Sequence, residues 1–407
     1  MSGGIITGLV ISVLGSVLAA GSWTTAFVAE SILRTTPPQR AAAHSRPRSV
    51  PRPASAYTPR TVALFQATPE PVTPSSARRM TYLAGIAGAI SPKSVDASKS
   101  GLFFAQNMMY RHTVTVYDRR FRLVKTIPDT VRLADFGYPQ YGGTTRGAPV
   151  EAAFTSDAAQ AYVSNYSMYG AHFRREGHDD CSPADRYDRS FVYRIGLDDL
   201  RINQVILVGS VPKFVAVTPD DRYVLVSNWC SYTLSVIDVA AGKAIRSVYL
   251  GPYPRGIVVD PQSRYAYVAV MGSHDIARVS LDDFKVAWIR GVGRSPRHLV
   301  IDPDGTFLYA TLNGEGSVAK IDLGTDTVVR KVRTGSQPRS MAISTDGTAL
   351  YVVNYDSDSV SKIGTETLRV LQTAHTNNAP IGITYDEGTS EIWVACYSGS
   401  IMIFKDA

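Results

Sequence analysis

The sequence predicts an all-β fold, a seven-bladed β-propeller with four-stranded blades, and three observations predict it. Seven prolines recur in phase: Pro92, Pro149, Pro212, Pro254, Pro296, Pro338 and Pro380, the last five 42 residues apart. The first two gaps, 57 and 63 residues, are one period plus insertions of about 15 and 21 residues. A period of about 40–45 residues with strand-like content means one small sheet per repeat, arranged radially. Within each period the apolar residues form short β-favouring runs, and the chain ends one run short of a full last repeat.

The unit that begins at Pro296 shows the pattern. Leu299-Val300-Ile301 ends at the turn Asp302-Pro303-Asp304-Gly305, Phe307 to Thr311 at Asn313-Gly314, Ser317 to Ile321 at Gly324-Thr325, and Thr327 to Val332 at Gly335. Four runs bounded by Gly, Pro, Asp or Asn read as four antiparallel strands. Weaker copies of the first turn stand at Thr218-Pro219-Asp220-Asp221, Asp260-Pro261-Gln262-Ser263 and Ser344-Thr345-Asp346-Gly347. A helical repeat would need apolar spacings of three and four over ten residues, and no unit has them.

After Pro380 come three runs, Ile381 to Thr384, Glu391 to Ala395 and Ser400 to Phe404. A spare run, Met80 to Ala87, precedes Pro92 and is expected to complete the last blade, leaving no open sheet edge at the join. The propeller is therefore expected over 80–407.

The repeat resembles the YVTN-repeat seven-bladed propellers of prokaryotes. The residues that carry the resemblance are Tyr162-Val163-Ser164-Asn165, Tyr351-Val352-Val353-Asn354 and the looser Val226-Ser227-Asn228. To these add the glycine-x-x-proline lead-ins at Gly209, Gly251, Gly293 and Gly335 and the endings Ile237-Asp238 and Ile321-Asp322. The resemblance is cleanest over 209–377. Blades 1 and 2 depart from it by their insertions, and blade 7 by Cys396 where Asn is expected. It implies the fold and an exported binding protein, without naming a ligand or a reaction.

Residues 1–34 read as a transmembrane anchor or a signal segment. The first 29 residues carry no charge, and Ile5 to Val28 is long enough to span a bilayer. Leu18-Ala19-Ala20 offers a processing site for the signal-peptide reading. Arg34, Arg40, Arg46 and Arg48 follow the span, which by the positive-inside rule would put the propeller on the cytoplasmic face. The family resemblance implies the opposite, a membrane-anchored or secreted propeller that is extracytoplasmic, and that is the expectation adopted. Residues 35–79 read as a disordered linker with nine prolines, seven arginines and Glu70 as the only acid. That segment carries six of the chain's seven net positive charges, so the propeller is close to neutral. The high isoelectric point thus does not mark a nucleic-acid-binding domain.

Two groups of residues are candidates for ligand binding. The first lies in the insertions. One, about 128–147, carries Tyr138 and Tyr141; the other, about 166–189, carries Tyr166, His172, Arg174, Arg175, His178, Asp179 and Asp180. Long loops inside a compact domain are usually functional, although these could equally cap the ring or pack on each other. The second group follows the marker proline: Lys93, Lys213, Arg255, Arg297 and Arg339, with Val150 and Ile381 as exceptions. Cations that start the innermost strands should circle the channel mouth and attract anions. The alternative is that each staples blades together through a carbonyl or an acid such as Asp238 or Asp322.

Cys181 and Cys230 sit in matching loops of blades 2 and 3 and could form a disulfide, or remain thiols in a reducing compartment. Asn165, Asn228 and Asn354 are expected to suit left-handed turns after their strands. His172, His178, Asp179 and Cys181 have no fixed metal-ligand spacing. HExxH, GxSxG, P-loop and CxxC motifs are all missing, so no catalytic residue, metal or cofactor is assigned. The function expected is a non-catalytic binding module for a protein or polyanionic ligand, touching the membrane through its N-terminal helix. The alternatives are a propeller enzyme, lactonase-like or metal- or quinone-dependent, and nucleic-acid binding at the channel mouth.

Overall fold

The computed structural model describes residues 73–407, and within them the seven blades are present. Blade 3 is typical: Pro212–Val217, Tyr223–Asn228, Thr233–Asp238 and Lys243–Tyr249 pair in sequence order, all antiparallel. Blades 4, 5 and 6 repeat it, starting at Pro254, Pro296 and Pro338. Blade 2 gains a fifth, two-residue strand, Thr130–Val131, from the first insertion. The predicted apolar span Ile5 to Val28 lies outside the described residues. Among the described residues no helix is long and apolar enough to cross a membrane.

The core lies between blades rather than within them. Leu225, Leu234 and Val236 of blade 3 pack on Ile257, Ala266 and Val268 of blade 4. The same interlocking recurs around the ring, each side chain contributing about 1.5–3 kcal/mol of burial. At the join of blades 7 and 1, Trp393 stacks on Phe103 with centroids 3.8 Å apart.

Closure follows the expected route. Met80–Ala87 pairs antiparallel with Ser400–Asp406, from Met80 opposite Asp406 to Ala87 opposite Ser400. A buried clasp secures it. Lys362 of blade 6 pairs with Asp406, donates to the Arg78 carbonyl at 2.8 Å, and Asp406 also accepts from the Tyr351 hydroxyl at 2.7 Å. The ordered contacts start earlier than the composition indicates. Ser75, in a single 3-10 turn Ser75–Ala77, donates its backbone N–H to Asp346 at 2.7 Å.

The asparagines correct one expectation. Asn354 has φ −107°, and the left-handed residues of these turns stand later, at Tyr232 and Asp358. The Asn side chains bind across the hairpin instead. Asn228 Nδ2 donates to Thr233 Oγ1 at 3.1 Å and Ser235 Oγ at 2.9 Å, and Asn354 repeats this with Ser359 and Ser361. Asn228 Oδ1 accepts from the Gly209 N–H at 3.0 Å. A Cβ at Gly209 would lie 2.6 Å from Asn228 Cγ, and one at Gly335 2.7 Å from Asn354 Cγ. The lead-in glycine is thus the gap into which the strand-end asparagine fits.

Candidate anion site at the mouth of the ring

One turn places four of the five cations. The residue before the marker proline is left-handed in five blades: Val211, Tyr253, Ser295, Gln337 and Ala379, with φ between 50° and 63°. None is glycine, and such a conformation costs roughly 1–2 kcal/mol. A hydrogen bond holds each one. Its carbonyl accepts from the residue just past the second strand: Trp229, Met271, Asn313, Tyr355 and Tyr397, at 2.9–3.1 Å. In four of these blades the next residue but one is a marker cation, Lys213, Arg255, Arg297 or Arg339; after Ala379 it is Ile381, and Lys93 starts without this turn.

Lys93, Lys213, Arg255, Arg297 and Arg339 all line one cavity of about 700 Å³. Lys93, Lys213, Arg255 and Arg297 are only 5–8% exposed. Lys213 pairs with Asp179, but among the described residues no carboxylate oxygen lies within 4.0 Å of the other four cations. Stapling by an acid holds for Lys213, since Asp179 belongs to the insertion of blade 2 and Lys213 to blade 3, but Asp238 and Asp322 are not the partners. Asp238 accepts from the Ala241 N–H at 2.7 Å and Asp322 from Gly324 at 2.8 Å, each serving its own turn. Arg339 stacks on Tyr355, 3.6 Å from the ring centroid, and donates to Gln337 at 3.1 Å.

Crowded, half-dry cations repel one another. Burial and then Arg255 pull Lys93 well below the usual lysine range. Burial, followed by Arg255 and Arg339, presses on Arg297, which remains a cation because a guanidinium does not deprotonate in proteins. Lys213 is pulled down to about 7, chiefly by burial and with help from Arg255 and Arg297, against the opposing pull of Asp179. For Asp179, burial is outweighed by Lys213 and the Tyr166 hydroxyl, and its carboxyl is held at about 2. His298, in the innermost strand of blade 5, is driven down to about 3 by burial and the Arg255 charge.

Acids near the ring were not legible in the sequence. Glu151 and Asp96 are packed together beside Lys93; burial raises both carboxyls, while Lys93 draws each one down. Asp96 also accepts from the Ala152 N–H at 3.2 Å. Glu151 directly follows Val150, the blade 2 exception in the cation series, and that was the one available signal.

A second ring was also missed. The residue after the second strand is Met108, Trp229, Met271, Asn313, Tyr355 and Tyr397 in six blades, and Tyr166 holds the same phase within the longer second strand of blade 2. All but Tyr355 line the cavity. The same period that marked the cations carries these residues; only the phase went unread. Lys213 Nζ sits 4.5 Å from the Tyr166 centroid and 5.0 Å from that of Trp229.

The insertions divide in two. From the second, Tyr166, Tyr169, Glu176, Gly177 and Asp179 reach the cavity. The first does not, because Tyr138 and Tyr141 pack on the outer side of blade 2 around Leu133, Phe191 and Tyr193. Tyr141 stacks on Phe173 at 5.2 Å, and the Tyr138 hydroxyl accepts from the Leu207 N–H at 3.0 Å. His172 Nε2 accepts from the Gly142 N–H at 3.1 Å, tying one insertion to the other. Arg174, Arg175, His178 and Asp180 are exposed and do not line the cavity. The backbone N–H groups of Arg174 and Arg175 both donate to Asp188 at 2.7 Å.

Cys181 and Cys230 form a disulfide, with Cα atoms 5.4 Å apart. Cys181 is therefore not available as a thiolate ligand. The bridge sits beside the cavity wall: Trp229 Nε1 donates to the Asp179 carbonyl at 2.8 Å and the Tyr232 hydroxyl to that of Cys181 at 2.7 Å. The disulfide thus anchors the segment that places Asp179 over Lys213. Cys396 is a buried thiol, raised to about 12 by burial.

Residues 199–379 match the family model of YNCE-like beta-propellers. With seven blades around one axis, that match is consistent with a YVTN-type seven-bladed propeller. No curated protein matches the chain. Among solved structures, a chain of Kuenenia stuttgartiensis hydrazine synthase is similar with a TM-score of 0.63 and 17% identity, over 79% of this chain and 97% of that one. At that identity the likeness speaks for the fold alone.

Proposed function

We propose that this propeller is a binding module for an anionic ligand, taken up in the mouth cavity by the ring Lys93, Lys213, Arg255, Arg297 and Arg339. One observation carries the reading: four of these cations have no carboxylate within ion-pair distance among the described residues, although three of the four are almost wholly buried. Burying charge without a partner costs several kcal/mol per ion, and a ligand anion would offset that cost. Asp179 supports the reading as an internal example, since its carboxylate already occupies the Lys213 corner. The recessed position favours a small anion, or a single acidic group inserted from a larger partner, over a flat protein interface. Near-neutral charge outside the linker argues against nucleic acid.

The disulfide supports an extracytoplasmic setting, since such bridges persist in oxidising compartments. The apolar N-terminal stretch would then serve as a tether or an export signal. Protease accessibility on intact cells tests this: a propeller protected until lysis would contradict it.

The binding reading is tested by calorimetric titration of the full chain with sulfate and with citrate at low ionic strength. Saturable 1:1 binding is expected, weakened about ten- to a hundredfold in Arg255→Gln/Arg297→Gln, the range for losing charge-assisted hydrogen bonds. No binding of either anion, or equal binding by the variant, would overturn it.

A further inference from the structure

The cations form only the inner of two rings. The outer ring is apolar in six of seven blades, and one sector extends it into a lip. Met108, Met109 and Tyr110 form the turn after the second strand of blade 1, and all three line the cavity. Met109 is 38% exposed and Tyr110 86% exposed, so the lip holds apolar surface in water beside a cationic site. The turn is constrained. Tyr110 and His112 are both left-handed, at φ 63° and 51°, the Arg111 N–H donates to the Met109 carbonyl at 2.7 Å, and the Ser91 hydroxyl donates to that same carbonyl. A purely inorganic anion would use none of this surface. Two blades along, the cavity-lining Trp229 stacks on Tyr253 with centroids 4.6 Å apart, which stiffens that part of the wall.

We infer that the ligand is an amphiphilic anion, with a charged head for the buried cations Lys93, Arg255 and Arg297 that line the cavity and an aromatic or aliphatic portion covered by the Met108–Tyr110 lip. This rests on the anion reading above and adds the chemical class. Charge brings the ligand in and fixes its head; the lip selects among anions by what the head carries. Methionine suits that role because an unbranched thioether adapts its shape to an apolar guest, while tyrosine supplies a broad, stiff contact.

The test compares inorganic phosphate with phenyl phosphate at about pH 8, where both are dianions, in calorimetric titrations of the full chain. The wild-type protein is expected to bind phenyl phosphate roughly tenfold more tightly, the effect of burying part of one phenyl face. In Met109→Ala/Tyr110→Ala that preference should collapse to about twofold or less. Both side chains are exposed, so folding is not at stake. Arg255→Gln/Arg297→Gln should weaken both anions together. Equal wild-type affinity for the two would overturn this inference and leave the anion reading standing. A preference unchanged in the lip variant would also overturn it. Binding of neither anion would overturn both.

Discussion

Lys362 and Arg297 are both buried cations on propeller strands, and their surroundings are opposite. Lys362 is wholly enclosed and fully engaged, by Asp406 and the Arg78 carbonyl. Arg297 lines a cavity, donates to the Met271 sulfur at 3.8 Å, and feels Arg255 and Arg339 more strongly than the opposing Asp179. Burial alone therefore says little about what a charge does here. At the seam a charge is matched inside the protein and joins blade 6 to the closing strand. At the mouth four cations have no carboxylate within ion-pair distance among the described residues, and the more distant Glu151 and Asp179 offset only part of their repulsion, which destabilises the fold unless something else binds them.

Four experiments would break or sharpen that contrast. The largest effect is expected at the seam. Asp406→Ala strands the Lys362 charge in a dry interior and should cost about 3–5 kcal/mol in urea unfolding; a loss under ~1 kcal/mol would mean the clasp does not hold the ring. Next is the bridge beside the mouth. Cys181→Ser/Cys230→Ser should lower stability by about 2–4 kcal/mol, given the sequence separation of 49 residues. It should also change sulfate affinity, because Asp179 loses its anchor over Lys213.

The third experiment inverts the first. Arg297→Met removes an unmatched charge, so stability should stay within ~1 kcal/mol of wild type or rise, while sulfate affinity falls about tenfold. A melting temperature that drops as far as in Asp406→Ala would erase the contrast. The smallest effect is in pH. Lys213 is held at about 7, so it is protonated below that value and neutral above it. The protonated form attracts anions; affinity for sulfate, which does not titrate in this range, should therefore fall as pH rises through about 7. Lys213→Arg should flatten that step, because a guanidinium stays charged.

The architecture was legible because it repeats. Proline phase, turn residues and the spare run Met80 to Ala87 all report local backbone needs, which a sequence states directly. The cation ring was legible for the same reason: it rides on the phase of the proline. The rest of the site depends on juxtapositions across blades. Asp96 lies three residues after Lys93 and Glu151 directly after Val150, but neither segment states that the two meet across blades 1 and 2. Tyr138 and Tyr141 look like site residues in a long loop, yet their apolar faces are satisfied against Phe191 and Phe173 away from the cavity. The Met-Tyr-Trp ring shares the period, and hydrogen bonds from Trp229, Met271 and Tyr355 tie it to turns that carry cations.

The most direct test is a sulfate titration of wild type and Arg255→Gln/Arg297→Gln, with melting curves on the same samples. Charges kept for a ligand predict weaker binding at equal or higher melting temperature. Unaltered binding with a lower melting temperature would show that these arginines hold the blades together, and would contradict the account.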